Sequence, residues 1–248
     1  MNQHQKINQH FIIKINGVEY VYVYIRKNAC SAWKKVFFSE SEHQSEVNKS
    51  LGPLEFMNKF HRASTIDKVM AVENRIVILR DPVIRVYSAF INQIVMRMNR
   101  QYALHKAVQT ACGKPIGKIT FDEFVDEYLL KTDASKLDGH FRPQNLSLLP
   151  IEYKNTWDLS KLHQEVETLV GKDFADRYFL TKVNSTEKMK KIPLEANGLT
   201  VRKMFNIWNN REVFPDFESL ISIDCRKKLS LMYEDDIKLL KNHNIKYI

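Results

Sequence analysis

Two apolar runs, Ile12 to Ile15 and Val18 to Ile25, flank the dipeptide Asn16-Gly17, which readily adopts the positive φ angles of a tight hairpin turn. The second run breaks at Arg26 into a short turn of polar and small residues, and a basic amphipathic segment resumes from about Ser31 to Phe38. This order reads as strand, loop and helix. A polar stretch from Ser39 to Ser50 reads as a loop. Arg75 to Leu79 is a second β-branched and aliphatic run, ending at Arg80-Asp81-Pro82, where Pro82 suits the first turn of a helix. In that helix Val83, Val86, Tyr87, Phe90 and Ile94 recur at helical spacing, with Arg85, Ser88 and Asn92 grouped elsewhere. The pattern predicts one face that packs and another that meets a ligand.

Thr120-Phe121-Asp122-Glu123 has the T-x-x-E form of a capping box opening a helix to about Leu130. Leu159 to Val170 predicts an amphipathic helix, Arg177 to Val183 a returning strand, and Arg226 to Leu240 a final helix. Strands alternating with helices predict an α/β fold, a central and mainly parallel sheet flanked by helices. Without an internal repeat or linker, residues 1–248 read as one domain, with a core from about 18 to 245 and a flexible stretch at 1–10.

Composition narrows the partners. The chain of 248 residues is 44% hydrophobic, and its 38 basic against 29 acidic side chains give a formal charge of +9, which favours anionic molecules. Cys30, Cys112 and Cys225 follow no metal or disulfide spacing, as expected in a reducing compartment, and no metal site is expected. A polar N-terminus and the lack of an apolar run approaching a membrane span point to a cytoplasmic protein.

Ligands of open α/β sheets bind beyond the strand C-termini, where Lys27 and Arg80 both fall. The free N–H groups of the helix after Lys27, with Ser31 able to cap it, suit a phosphate-like anion. Gly113 to Ile119 superficially suggests a phosphate loop. Its spacing is wrong and Ile119 stands where a metal-contacting Ser or Thr is needed, which counts against a nucleotide kinase or ATPase.

Two motifs resemble those of the sulfotransferases, and more closely the membrane-type and bacterial carbohydrate branch. Arg26-Lys27-Asn28-Ala29-Cys30-Ser31-Ala32-Trp33-Lys34-Lys35 is similar to the family's 5′-phosphosulfate loop. Leu79-Arg80-Asp81-Pro82 through Arg85 to Ser88-Ala89-Phe90 is similar to its 3′-phosphate motif, in which an Arg and a Ser eight positions later grip the 3′-phosphate. Asp138-Gly139-His140-Phe141-Arg142-Pro143-Gln144 looks like the His-x-x-Pro segment of the carbohydrate branch, and Tyr233 to Ile237 resembles the closing helix. Arg26, Ala29 and Ala32 depart from the usual Pro, Gly and Asn, and the cysteines that often follow the His-x-x-Pro segment are Ser147, Leu148 and Leu149.

The resemblance implies a sulfotransferase fold akin to that of P-loop NTPases, with 3′-phosphoadenosine 5′-phosphosulfate as donor, adenosine 3′,5′-bisphosphate as product, no metal and a glycan hydroxyl as acceptor, in a bacterial cytoplasm. It places Lys27, Asn28, Ala29, Cys30, Ser31, Ala32 and Trp33 at the 5′-phosphosulfate, and Arg80 and Ser88 at the 3′-phosphate. Lys27 is positioned to stabilise charge growing on the bridging oxygen. His140 suits the acceptor base, with His43, Glu40 and Glu42 as rivals, and Arg142 and His43 are placed toward the acceptor. Read from bulk alone, Trp33 serves burial and Cys30 fills space. A nucleic-acid or polyanion binder, from the charge and interleaved aromatics, and a family member that binds nucleotide without turnover remain as alternatives.

Overall fold

The turn at Asn16-Gly17 folds as its residue types require. In the computed structural model, which describes residues 6–46, 51–100, 102–181, 190–194 and 198–248, Asn16 has φ 49° and Gly17 φ 82°. Strands β1 (His10–Ile15) and β2 (Val18–Val23) pair antiparallel across it, Ile15 opposite Val18. Helices α1 (Cys30–Glu40), α2 (Pro53–Phe60) and α3 (Ile66–Ala71) lead to β3 (Asn74–Leu79). Helix α4 (Pro82–Ala89) runs on into a π-helical turn, followed by α5 (Ala103–Cys112) and by α6 (Phe121–Glu123), which also continues as a π-helical turn. After β4 (Asn155–Asp158) come α7 (Leu162–Val170), α8 (Lys172–Phe179), β5 (Lys190–Ile192), α9 (Val201–Arg211) and β6 (Val213–Pro215). Helices α10 (Phe217–Leu220), α11 (Ile223–Met232) and α12 (Glu234–Asn242) close the chain.

Two compact units share this sequence. The first comprises Met1–Arg80, Gln144–Asn184 and Leu239–Tyr247; the second comprises Asp81–Pro143, Ser185–Lys238 and Ile248. The first unit holds a four-stranded sheet of order β1-β2-β3-β4, in which β2, β3 and β4 run parallel. This is the expected α/β architecture, a mainly parallel sheet with flanking helices.

Tyr20 to Val23 in β2 and Ile76 to Leu79 in β3 are uninterrupted apolar runs because both faces of the sheet are covered. Tyr20, Tyr22, Ile76 and Ile78 pack with Trp33, Phe37, Val166 and Phe179, while Val23, Val77 and Leu79 pack with Ile25, Leu240 and Ile245. Successive side chains point to opposite faces, and here both faces are covered. In the second unit, Val83, Val86 and Phe90 join Phe124, Phe141, Met204 and Leu229 in a helical core.

Some predicted elements differ. Arg177 to Phe179 is the end of α8, not a strand; Leu180 and Thr181 follow it, and Lys182 and Val183 lie outside the described residues. Phe174, Ala175, Tyr178 and Phe179 recur at four-residue spacing, and Lys172 pairs with Asp176 at 2.8 Å across one helical turn. The final predicted helix is two, broken at Tyr233, whose ring is buried, and Leu231 faces solvent. Ile7 and His10 are buried, so packing begins near the N-terminus. The capping box forms as predicted: Glu123 N–H donates to Thr120 Oγ1 at 3.3 Å and Thr120 N–H donates to Glu123 Oε2 at 2.9 Å.

Candidate active site

In the first unit the chain leaves β2 and turns sharply before α1. Lys27 (φ 74°) and Ala29 (φ 57°) both occupy the left-handed region, and Ala29 is the helix N-cap. A residue with a Cβ costs about 1–2 kcal/mol there relative to ordinary backbone, so the surroundings must hold the turn. Asn28 between them does this. Its side chain is buried, and Nδ2 donates to the Ile78 carbonyl at 2.8 Å and to Gln144 Oε1 at 2.5 Å.

The cap itself differs from expectation. Ser31 lies inside the helix, and the cap carries no side-chain hydrogen bond. The Ala29 carbonyl accepts from Ala32 N–H at 2.9 Å and Trp33 N–H at 3.2 Å. Upstream of those two bonds, the turn from Lys27 to Ser31 opens the helix with its positive dipole end. Ala32 is buried and Cys30 half-buried, while Trp33 is fully buried and stacked on Tyr22, ring centroids 4.6 Å apart.

Arg80 ends β3. Because β2 and β3 are adjacent and parallel, their C-terminal ends fall on one edge, and Arg80 Nη1 donates to the Lys27 carbonyl at 3.5 Å. Gln144 joins the two ends: Arg80 N–H donates to Oε1 at 3.1 Å, and Nε2 donates to the Arg80 carbonyl at 2.8 Å. Its wholly buried amide thus mimics a strand partner for Arg80 and anchors Asn28. In the sequence Gln144 figures only as the end of the Asp138 to Gln144 segment, with no role of its own.

Elsewhere in this unit, His43 contacts Glu46 Oε1 through Nδ1 at 2.8 Å and stacks on Phe60. The rival carboxylate Glu40 accepts from Tyr178 Oη and from Arg177 Nη1, the latter at 3.2 Å. Glu42 is largely exposed.

The second unit holds the other expected residues. Helix α4 is capped by Asp81, whose Oδ1 accepts from Ile84 N–H at 2.8 Å, with Pro82 in the first turn. Ser88 lies on this helix and is buried. Arg85 belongs to no ligand-facing surface: it is 0% exposed and donates to the carbonyls of His140 (3.2 Å) and Arg142. Burial lowers its pKa from the ordinary guanidinium value, opposed by Tyr233 and Asp236. The carbonyl between these two, that of Phe141, accepts from Tyr233 Oη at 2.5 Å.

His140 pairs with Asp138, Nδ1 to Oδ1 at 2.6 Å, and its N–H donates to the same oxygen at 2.9 Å. With Nδ1–H directed to the carboxylate, the neutral ring carries its lone pair on Nε2, the tautomer a base needs. Arg142 Nη2 donates to the Leu137 carbonyl at 3.0 Å. Among the described residues no group of three or more His, Cys, Asp or Glu side chains is arranged to hold a metal ion. No helix among the described residues is long and apolar enough to cross a membrane.

A family model described as "Sulfotransferase family" matches residues 9–242, nearly the whole chain. The comparisons of this chain with the curated proteins and with the solved structures found no match.

Proposed function

The chain belongs to the sulfotransferase family, and we propose that it transfers a sulfonate group from 3′-phosphoadenosine 5′-phosphosulfate to a carbohydrate hydroxyl. The observation that carries the donor assignment is the Asn28 and Gln144 network, which holds the left-handed Lys27 to Ala29 turn beside the end of β3 and Arg80. A turn opening a helix N-terminus next to two cationic residues is a site for an anion such as the 5′-phosphosulfate.

In this reading Lys27 and the amides of Ala29 to Ser31 bind the 5′-phosphosulfate, Asn28, Ala32 and Trp33 shape that turn through N–H bonds to the Ile25 and Ala29 carbonyls, and Arg80 and Ser88 take the 3′-phosphate. The acceptor oxygen attacks sulfur in line as the bond from sulfur to the 5′-phosphate oxygen breaks. His140 Nε2 takes the hydroxyl proton, and adenosine 3′,5′-bisphosphate leaves. Negative charge grows on the departing oxygen, so Lys27 acts more strongly on the transition state than on bound donor. Asp138 orients the imidazole and stabilises it once protonated. Arg142 and His43 are assigned to the acceptor, and a carbohydrate acceptor is favoured by the His140 to Pro143 segment. Because the family match covers residues of both units, the two units together are taken as one sulfotransferase domain. Three free thiols favour a reducing, cytoplasmic setting, and Ser147, Leu148 and Leu149 in place of the cysteines that often follow the His-x-x-Pro segment favour a bacterial one.

Isothermal titration of adenosine 3′,5′-bisphosphate against adenosine 5′-monophosphate tests the donor site. A strong preference for the bisphosphate that collapses in Arg80→Ala is expected. Equal binding of both nucleotides would sink the 3′-phosphate assignment.

A further inference from the structure

Three consecutive main-chain carbonyls around His140 are held by two side chains. Arg85 Nη1 donates to the His140 carbonyl at 3.2 Å, Tyr233 Oη to that of Phe141 at 2.5 Å, and Arg85 Nη2 to that of Arg142. Arg85 is 0% exposed and Tyr233 1%, and the guanidinium carbon lies 6.0 Å from the Tyr233 ring centroid. Phe141, between the two residues that Arg85 grips, is itself fully buried and packs on Phe124 with centroids 5.0 Å apart. Sequestering a guanidinium is costly unless its donors are used, and of the Arg85 nitrogens Nη1 and Nη2 are used while the buried Nε has no hydrogen-bond partner among the described residues. Here the guanidinium spans two carbonyls of one turn, a geometry its planar fork permits and a lysine ammonium does not.

This turn is the one that carries the paired Asp138 and His140. We propose that Arg85 and Tyr233 are positioning residues that fix the main chain of His140 to Arg142 and so aim the His140 imidazole at the acceptor hydroxyl. Neither touches substrate; both act through His140, and the proposal rests on His140 being the base. A base displaced by about 1 Å loses on the order of a hundredfold in rate, so fixing the main chain is a catalytic requirement as well as a structural one.

Tyr233→Phe deletes one donor and keeps the ring, and Arg85→Lys keeps the charge without the fork. Relaxation of ¹⁵N- and ¹³C-histidine-labelled full-length chain reads the order of each imidazole, His140 being assigned by its loss in His140→Ala. Ring order at His140 is expected to fall in both variants while that of His10 and His61 holds. Transfer of label from ³⁵S-labelled donor to desulfated chondroitin, heparosan and dextran should drop about tenfold in Tyr233→Phe with the donor KM within about twofold. In a His140→Ala background Tyr233→Phe should cause no further drop.

Unchanged His140 ring order in both variants overturns the proposal. So does an equal fractional loss of rate with and without His140, which marks a general effect on stability. A parental rate in His140→Ala overturns the base assignment itself, and because ring order is read without turnover, the two failures are told apart. Should Arg85→Lys not fold, Tyr233→Phe alone carries the test.

Discussion

Acidification should destabilise this protein through His10. The ring is 0% exposed at the start of β1; Nδ1 lies 3.0 Å from the Lys6 carbonyl, and Nε2 lies 2.8 Å from Tyr153 Oη. Leu149 N–H donates to the same phenol oxygen, leaving the phenol proton for Nε2. Neutral His10 with Nδ1–H therefore satisfies every partner, and a second ring proton would meet the Tyr153 hydroxyl proton. Burial, partly offset by the Lys6 and Ile7 backbone, lowers the pKa from 6.5 to about 4. The sign follows: the unfolded chain binds more protons between these values, so the stability is fully present above about pH 6.5 and is lost as pH falls toward 4. Going from pH 7 to 4.5, a single site with these constants removes about 2.4 kcal/mol. His61, also lowered chiefly by burial, adds a loss of the same sign. Urea unfolding of the parent and of His10→Gln at both pH values isolates the His10 part, because the His61 part is common to both. The variant should start lower at pH 7 and lose about 2.4 kcal/mol less on acidification. Equal losses in the two proteins would refute the argument.

Ala29→Gly should raise the unfolding free energy read by urea titration by ~0.5–1 kcal/mol, since glycine accepts φ 57° without the Cβ penalty and gives part of the gain back as unfolded-state entropy; a lower value would show that the Ala29 methyl contributes packing that outweighs the strain. Lys27→Ala should cut turnover of labelled donor by about 10²–10³ while bisphosphate affinity falls far less, and an equal fall in both would place Lys27 in ground-state binding only. Gln144→Ala strips partners from Arg80 N–H, the Arg80 carbonyl and Asn28 Nδ2, and should cost about 2–4 kcal/mol in thermal or urea unfolding. Less than about 1 kcal/mol would mean that water replaces the amide.

The elements legible in the sequence were those set by local rules. Asn16-Gly17 forced its hairpin, Pro82 and the Thr120 box opened their helices, and apolar runs alternating with helical segments announced a mainly parallel sheet flanked by helices. What local pattern misread was set by tertiary partners. Arg85 sits at a helix position that an amphipathic count assigns to a polar face, yet its Nη1 and Nη2 donate to carbonyls 55 and 57 residues later in the chain. Ser31 looked like a cap because its type suits one, but the left-handed residues place the helix start at Cys30. Tyr233 interrupts a charged amphipathic run whose period alone cannot show a break. The cationic residues after both strands were readable from spacing; the buried amide that ties their backbones together was not, because a glutamine's partners are invisible until its neighbours are placed.

The Gln144 pairing also bears on how this chain tolerates change. Residues 81–143 leave the first unit at Arg80 and return to it at Gln144, two positions joined by a pair of hydrogen bonds. Seen from the sheet, the whole intervening segment is a guest whose exit and re-entry share one clasp. A host closed in this way does not register its guest's length, since loop-closure entropy grows only slowly with size. Changes of length can therefore accumulate in those parts of the segment that lie between Ser88 and the Asp138 to Arg142 turn, while the clasp keeps the Lys27 to Ala29 turn in register.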